Sequence, residues 1–311
     1  MTKEELTNCY DRIQPFIHHT PILTSSLINK LVEAQLFFKC ENFQRAGAYK
    51  IRGATNAIMQ LTQSQQQNGV VTHSSGNFAQ ALSLAAKSLN IKAYIVMPSN
   101  SPSVKKNAVI EYGGEIIECE PTIEARQAAA DKIVENTGAT FIHPSNDVNV
   151  IIGQGTAGLE LLREQSDLNY IMCPVGGGGL IAGTALAATF FSKHCKVLGG
   201  EPFEADDAYR SLISGTIETN ITTNTIADGL RTQLGSNNFP IIKTHVNEII
   251  RVSELEIIEA MRIVWERMKI IIEPSSAVAF AAVINHKDKF KNQKVGIIIS
   301  GGNVDVNHLP F

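Results

Sequence analysis

The sequence predicts an open α/β fold. Short apolar segments of strand character alternate with amphipathic segments of helical period along most of the 311 residues. Several of the strand segments, such as Tyr170–Pro174 and Val295–Ile299, are continuously apolar. Continuous apolar strands are typical of parallel sheets that are covered on both faces. A chain of this length can bury a large core. It is also about as long as the chains in which a single core begins to divide into two domains.

The individual elements follow from the same patterns. The predicted strands, in chain order, are Val70–His73, Ala93–Met97, Glu115–Cys119, Tyr170–Pro174, Lys196–Gly199 and Val295–Ile299. The predicted helices are Phe78–Leu89, Val104–Tyr112, Ile123–Asn136, Gly155–Arg163, Gly179–Phe190 and Glu254–Met268. The last helix is the best marked, because Ser253 and Glu256 have the spacing of a capping box. Another helix is expected to begin at Pro274, since proline suits the first helical position.

Composition excludes several classes of protein. A net charge of -3 gives no broad basic field for nucleic acid or an anionic membrane. The apolar run Leu180–Phe191 is far shorter than the ~20 residues that span a bilayer. The first ten residues contain no apolar stretch, so we expect no signal peptide. The five cysteines are widely spaced and form no C-x-x-C pair, which predicts reduced thiols in a cytoplasmic protein.

A run of four glycines, Gly176–Gly179, follows the strand that ends at Pro174 and opens the next predicted helix. Such a loop lets backbone N–H groups approach an anion, and the helix N-terminus adds about half a positive charge. Gly177, Gly179 and Ala182 also satisfy the dinucleotide pattern G-x-G-x-x-A, with Glu201 at the distance of a ribose-binding acid. From the residues alone a dinucleotide, a monophosphate cofactor and an empty strand–helix turn all stay open.

The segment Phe43–Ala54, which reads Phe-Gln-Arg-Ala-Gly-Ala-Tyr-Lys-Ile-Arg-Gly-Ala, contains Lys50. It resembles the lysine motif of the fold-type II pyridoxal-phosphate enzymes, in particular the serine/threonine dehydratase and serine racemase family. Six further segments resemble motifs of that family in the same order: Thr72–Gln80, Val175–Leu180, Glu201–Asp207, Ile226–Thr232, Ile272–Ser275 and Ser300–Asp305. Without this resemblance Lys50 would be one surface lysine among many.

The resemblance implies a fold like that of the tryptophan synthase β chain, with two open, twisted, mostly parallel sheets flanked by helices. Residues 1–67 and 146–311 would form a large domain that binds pyridoxal 5'-phosphate, and residues 68–145 a small domain inserted in it. The chain would cross between them near Gln63–Gln67 and return near Pro144–Asp147. The resemblance also implies a homodimer.

The family roles of the cofactor residues can be carried over to matching positions. Lys50 would hold the cofactor aldehyde as a Schiff base and then act as a base at the substrate Cα. Ser300 would face the pyridine nitrogen, where a neutral hydroxyl makes the ring a weaker electron sink and suits β-elimination. The remaining cofactor-binding residues would be Tyr49, Asn77, Gly176, Gly177, Gly178, Gly179, Leu180, Gly229 and Glu273. Packing in the core is the alternative for Tyr49.

The substrate carboxylate would be bound by the loop Ser74, Ser75, Gly76, Asn77 and Phe78, with Thr232 as a looser match. Free N–H groups and hydroxyls at a strand-to-helix turn suit a carboxylate, although the same residues would also serve as a plain helix cap. Ser75 matches the serine that delivers a proton to the opposite face of Cα in racemases of the family. Related dehydratases can carry it as well.

Three positions depart from the family pattern or qualify it. Phe78 stands where many members have histidine, and Ala48 stands where they usually have serine. Arg126 matches a family arginine that reaches between domains or toward ligands, and a solvent-exposed salt bridge is the alternative.

A divalent cation, Mg²⁺ or Ca²⁺, would be bound by Glu201, Asp207 and the Ala205 carbonyl. The alternative is an acidic loop paired with Arg210.

The sequence therefore predicts a serine/threonine dehydratase that converts L-serine or L-threonine to pyruvate or 2-oxobutanoate and ammonia. Serine racemase, alone or combined with the dehydratase activity, and threo-3-hydroxyaspartate dehydratase are close alternatives. An NAD-dependent oxidoreductase, on the glycine pattern, and a ligand-binding module without catalysis belong to other classes. The expected partner is a small amino-acid substrate.

Overall fold

The computed structural model describes all residues from Met1 to Phe311. Ten strands form two sheets. The strands are β1 (Ile22–Leu23), β2 (Gln35–Cys40), β3 (Val70–His73), β4 (Ala93–Pro98), β5 (Glu115–Cys119), β6 (Thr140–Phe141), β7 (Tyr170–Pro174), β8 (Lys196–Pro202), β9 (Val246–Val252) and β10 (Lys294–Ile299).

Fourteen α-helices surround the sheets. They are α1 (Lys3–Ile13), α2 (Ser26–Val32), α3 (Lys50–Met59), α4 (Gln63–Asn68), α5 (Asn77–Ser88), α6 (Ser103–Glu111), α7 (Ile123–Thr137), α8 (Val148–Glu164), α9 (Gly179–Phe191), α10 (Asp207–Ser214), α11 (Phe239–His245), α12 (Glu254–Met268), α13 (Pro274–Asn285) and α14 (Lys287–Phe290). Short 3₁₀ turns lie at Gln14–Phe16, Glu41–Phe43, Arg45–Gly47, Phe203–Ala205 and Asp228–Leu230.

Both sheets are mostly parallel, as the continuous apolar strands predicted. The larger sheet has the order β1-β2-β10-β7-β8-β9, and only β1 runs antiparallel to its neighbour. The smaller sheet has the order β5-β4-β3-β6 and is parallel throughout. The α/β class with two flanked sheets is confirmed. The domain boundaries at residues 67 and 145 stay a prediction.

The register of the larger sheet places the ends of β7 and β10 at one edge, where a ligand can bind. Parallel pairing of β10 with β7 places Ile297 opposite Met172, so both strands end at the same edge. Ser300 follows β10 at this edge, and the glycines follow β7. Ligands of open α/β sheets bind at the carboxyl ends of strands.

Sequence patterns missed three strands of the larger sheet (β1, β2 and β9), β6 of the smaller sheet and several helices such as α2, α10 and α11, and they placed the start of one helix too late. β2 and β9 contain charged residues that interrupt the apolar pattern, such as Lys39 and Arg251. Helix α8 begins at Val148, seven residues before the predicted start at Gly155, because the Asp147 carboxylate caps the N–H groups of Asn149 and Val150. The capping box of α12 and the helix beginning at Pro274 are confirmed.

The predicted crossing near Gln63–Gln67 is exposed, but it is helix α4 rather than a loop. Thr62 and Gln65 form a capping box there that the glutamine-rich composition concealed. No helix of the structure combines the length and the apolar character that a membrane span requires.

Candidate active site

Lys50 is the first residue of α3 and lies beside the end of β10. The Tyr49 N–H donates to the Ser300 carbonyl over 3.0 Å, and Ala48 forms a bridge with Gly301. The half-buried Lys50 amine donates to the Pro144 carbonyl oxygen at 3.2 Å. Burial lowers the pKa of Lys50 to about 8, and the Glu273 carboxylate opposes this shift. A lysine in these surroundings is a far better nucleophile and base than one on the surface.

A buried ionic cluster anchors the helix that carries Lys50. The guanidinium of Arg52 contacts both carboxylate oxygens of Glu41, at 2.7 and 2.8 Å, and both of Glu160, at 2.7 and 2.8 Å. The Lys39 ammonium lies 2.6 Å from Glu160. All four side chains are buried, and the charges are balanced two against two. Paired geometry of this kind makes a buried charge tolerable and fixes its position.

The glycine loop, Gly176–Leu180, forms an anion cradle. It is buried, yet none of its backbone N–H groups donates a hydrogen bond within the chain. Buried N–H groups are rarely left unpaired, so this arrangement points to an absent acceptor. Gly178 has a φ of +81°, and a Cβ atom on Gly176 would lie 2.7 Å from the Leu230 Cα atom. The N-terminus of α9 adds a positive potential. A phosphate group fits this cradle.

Three polar residues border the glycine loop. A Cβ atom on Gly177 would lie 2.4 Å from the Ser145 hydroxyl and 3.1 Å from that of Thr232. The buried Asn238 side chain donates to the Gly177 carbonyl at 2.8 Å. Gly229 covers the other side, where its N–H donates to the Ser275 hydroxyl at 3.0 Å. The predicted positions Thr232 and Gly229 therefore do join the glycine loop, whereas Ser145 and Asn238 were missed.

The Ser300 side chain, at the end of β10, is a neutral hydroxyl, and its hydrogen-bond partner is neutral as well. Its hydroxyl is 3.0 Å from the hydroxyl of Ser276, which also bonds the backbone of Gly301 at 2.7 Å. Both serines are buried. Ser276 was not singled out from the sequence, although it directly follows the motif Ile272–Ser275.

The serine loop, Ser74–Phe78, lies between β3 and α5 and contains few internal bonds. The N–H groups of Ser75, Asn77 and Phe78 donate no hydrogen bond, and neither does the Ser75 hydroxyl. Apart from Phe78, which is buried in the core of the smaller sheet, the loop is half-exposed. The Lys50 amine lies 5.0 Å from the Tyr49 ring centroid and 5.9 Å from that of Phe78. The structure thus brings the serine loop next to Lys50. The glycine loop approaches Lys50 through Gln154, whose side chain binds the same Pro144 carbonyl as Lys50 and would lie 2.5 Å from a Cβ atom on Gly179.

Asn77 and Glu273 connect the serine loop to the larger sheet. The Asn77 amide donates to the Glu273 carboxylate at 2.9 and 3.1 Å, and the Asn303 amide donates to Asn77 at 3.0 Å. Burial raises the pKa of Glu273 to about 7, which the bond from Asn77 opposes. The Lys105 ammonium, on α6, pairs with Asp228 and so forms a second link across the gap between the elements of the smaller sheet and those of the larger sheet. Asn77 therefore reaches the edge of the larger sheet through Glu273, whose N–H donates to the Gly301 carbonyl at 3.1 Å.

Glu201 and Asp207 form a separate buried pair of carboxyl groups. Both oxygens of Glu201 accept backbone N–H groups at the start of α10, at 3.0 and 2.7 Å, which does not support a ribose-binding role. Burial raises the pKa of Glu201 well above its usual value and that of Asp207 to about 6. One buried oxygen of Asp207 has no partner. Arg210 pairs with Asp206 of this acidic loop, as the alternative predicted, and with Glu218, but with neither Glu201 nor Asp207.

Carboxylate oxygens are the ligands that Mg²⁺ and Ca²⁺ prefer. No group of three or more histidine, cysteine, aspartate or glutamate side chains is arranged as a metal site. Ala205, whose carbonyl was the third predicted ligand, lies in the 3₁₀ turn between the two acids.

Arg126 forms no salt bridge, and its buried Nε has no partner.

Comparisons with known proteins agree with this geometry. The family model "Pyridoxal-phosphate dependent enzyme" matches residues 13–301. Serine racemase of Dictyostelium discoideum is 49% identical over 99% of this chain and 97% of its own length. The beta-hydroxyaspartate dehydratase of Paracoccus denitrificans is 45% identical over 100% and 98%. The crystal structure of a threonine deaminase from T.th. superposes with a TM-score of 0.93 at 40% identity, covering 98% of this chain and 99% of that one.

Proposed function

Because the chain belongs to the fold-type II pyridoxal-phosphate enzymes, in the serine/threonine dehydratase and serine racemase family, we propose that it is a hydroxy-amino-acid ammonia-lyase. It removes water from L-serine or L-threonine, and the resulting enamine hydrolyses to pyruvate or 2-oxobutanoate and ammonia. The observation that carries the reaction type is the pair of neutral hydroxyls of Ser300 and Ser276. A neutral partner suits elimination, in which a leaving hydroxyl relieves the charge that develops at Cα.

The residues around Lys50 have separate roles in the proposed reaction. The N–H groups of the glycine loop bind the cofactor phosphate, and the Lys50 amine binds the cofactor aldehyde. When bound, pyridoxal 5'-phosphate supplies the electron sink for the reaction. Lys50 Nζ removes the proton from Cα, because its lowered pKa leaves a useful fraction unprotonated near neutral pH. The free N–H groups and hydroxyls of the serine loop orient the substrate carboxylate.

The cofactor assignment is tested by the visible absorption of the purified protein after addition of pyridoxal 5'-phosphate. We expect a band from the lysine-bound cofactor that Lys50→Ala abolishes. The matched control Lys30→Ala, on the surface of α2, should keep the band. A band that persists in Lys50→Ala would show that another lysine holds the cofactor.

A hydroxyaspartate substrate is the second candidate, and Arg126 favours it. Burial lowers the pKa of His73, and the nearby Arg126 guanidinium lowers it further. The His73 ring in turn lies 6.0 Å from the ring of His143, which precedes Pro144 beside the Lys50 amine. A guanidinium with an unpaired buried Nε can bind the second carboxylate of such a substrate.

Product analysis with L-serine, L-threonine and threo-3-hydroxyaspartate separates the two substrates. If Arg126 binds the second carboxylate, Arg126→Met should lower kcat/KM for hydroxyaspartate about 10- to 100-fold, the worth of one or two charged hydrogen bonds. Serine turnover should fall much less. An equal loss for both substrates would exclude this role, and the absence of keto acid from all three would exclude the lyase.

Racemase activity is the third candidate, supported by Ser75. Its half-exposed hydroxyl makes no hydrogen bond in the chain and is therefore free to deliver a proton to Cα. If D-serine forms, Ser75→Ala should suppress it more than it suppresses exchange of the Cα proton. Equal suppression would contradict a two-base reaction.

We further propose that Glu201, Asp207 and the Ala205 carbonyl bind a divalent cation, supported by the unpaired Asp207 oxygen and the two raised pKa values. EDTA should lower the Tm, and Mg²⁺ or Ca²⁺ should restore it. Asp207→Asn should remove this response. An unchanged Tm after EDTA would exclude the site.

We also propose a homodimer. The family resemblance implies it, and exposed Leu27 and Leu31, one helical turn apart on α2, support it. Light scattering at micromolar concentration tests it, and a monomer mass would contradict it.

A further inference from the structure

The segment His143–Asn146 returns the chain from the smaller sheet to α8 and contains the carbonyl that binds Lys50. The turn is closed by the His143 ring, whose Nδ1 accepts the N–H groups of Ser145 at 3.2 Å and Asn146 at 2.9 Å. Burial, with His73 and Lys50 nearby, lowers the pKa of His143 to about 4. Nδ1 therefore stays unprotonated at neutral pH, and the turn keeps this shape.

The same turn is bound to the larger sheet region by two asparagines. Asn238, which is fully buried, donates to the Ser145 carbonyl at 3.0 Å. The exposed Asn237 donates to the Asn146 carbonyl at 2.7 Å. With bonds on both sides of it, the Pro144 carbonyl is held in a fixed place beside the Lys50 amine.

Gln154, on α8, binds the same carbonyl oxygen as Lys50. Its side-chain N–H group lies 3.3 Å from Pro144 O, and the Lys50 amine lies 3.2 Å from it. The amide orientation is set by this contact, since the opposite orientation would face one acceptor with another. Gln154 is fully buried, and its own oxygen has no partner. A side chain that leaves a buried oxygen unpaired gives up stability, so the contact it does make calls for a functional reason.

We propose that Gln154 is a positioning residue that shares the Pro144 carbonyl with the Lys50 amine and so limits how strongly this oxygen binds the amine. This inference rests on the proposed role of Lys50. An ammonium donates a stronger hydrogen bond than a neutral amine, so an unshared carbonyl would favour the protonated form. Because Gln154 donates to the same oxygen, the Pro144 carbonyl binds the Lys50 amine less strongly. The released amine therefore stays available to remove a proton from Cα.

The other titratable groups near the Lys50 amine act independently of Gln154. Glu273, at the N-terminus of α13, raises the pKa of Lys50. His143 is neutral near pH 7. Burial and the neighbouring Glu273 raise the pKa of Tyr49 above its usual value, so that phenol is neutral as well. Glu273, with its raised pKa of about 7, titrates in the same pH range as Lys50. Because none of these groups forms a hydrogen bond with Gln154, their effect on the pKa of Lys50 should be the same in the wild type and in the Gln154 variants.

The experiment measures the pKa of Lys50 in the cofactor-free protein. Competitive acetylation over a range of pH, with quantification of the Lys50 peptide by mass spectrometry, gives this value without any turnover. Gln154→Met preserves the volume and removes the unpaired oxygen, so the fold should be retained. We expect the pKa of Lys50 to rise by about 0.5 to 1 unit, the worth of one neutral hydrogen bond. Gln154→Leu should produce the same rise.

Asn237→Ala is the matched control, because it loosens the same turn without touching the Pro144 oxygen. Its Lys50 pKa should stay at the wild-type value. An unchanged or lowered pKa in both Gln154 variants, or an equal rise in Asn237→Ala, would overturn the inference. Failure of the proposed function is distinguishable, because it would appear as a cofactor band that survives Lys50→Ala.

Discussion

The glycine loop and the serine loop belong to the same candidate site but are held in different ways. The glycine loop is buried, and its position is fixed by Asn238 and by close packing against Leu230. The serine loop is half-exposed, and a Cβ atom on Gly76 would meet nothing within 4 Å. Asn77 links this loop to the larger sheet region. Lys105, on the nearby helix α6, forms a second link to that region.

This difference teaches how one site can serve a permanent cofactor and a transient substrate. A cradle whose donors are already in place binds phosphate without rearrangement, so little of the binding free energy is lost in ordering it. A loop with few buried contacts opens at low cost, which allows substrate to enter and product to leave. Substitutions in the two loops should therefore affect different measurements.

The largest effect is expected in the glycine loop. In Gly176→Ala the new Cβ atom would lie 2.7 Å from the Leu230 backbone, which cannot turn away as a side chain could. Overpacking of this kind typically costs about 1–3 kcal/mol, so pyridoxal 5'-phosphate should bind about 10- to 100-fold more weakly. Absorbance titration of the cofactor-free protein measures this affinity.

Gly76→Ala is the matched substitution in the serine loop, where there is open space. Its cofactor affinity should stay within about twofold of wild type. Equal losses in the two alanine variants would mean that the two loops do not differ in the way described.

A smaller effect is expected for Lys105→Met, which removes the ion pair with Asp228 across the gap. The pair is partly exposed and is worth at most about 1 kcal/mol, so KM for the amino acid should rise about two- to fivefold. Lys106→Met is the control, because Lys106 pairs with Glu118 on its own side. A similar KM in the two variants would show that the pair across the gap has no special role.

The smallest effect is expected for Glu273→Gln. Glu273 is ionised above its raised pKa of about 7, and its charge raises the pKa of Lys50. Removing that charge should lower the pKa of Lys50, a shift opposite in sign to that expected for the Gln154 variants. The same acetylation experiment measures it, and a rise would contradict the assigned electrostatics.

Residues that are adjacent in sequence could be predicted, and those that meet only through the fold could not. The glycine run, Lys50 and the serine loop each form a continuous segment, and their motifs could be recognised in order. Gln154, Ser276 and Asn238 carry no local signal, because their roles come from the strand order and from the path of α8. Charged residues within β2 and β9 are stabilised by tertiary pairing, which no local pattern reveals.

The central claim is that Lys50 binds the cofactor whose phosphate lies in the glycine loop. Borohydride reduction of the protein loaded with pyridoxal 5'-phosphate, followed by peptide mass mapping, tests it most directly, because reduction fixes the cofactor to the amine that holds it. The account predicts a single modified peptide, with the added mass on Lys50. Modification of a different lysine, or of none, would contradict it.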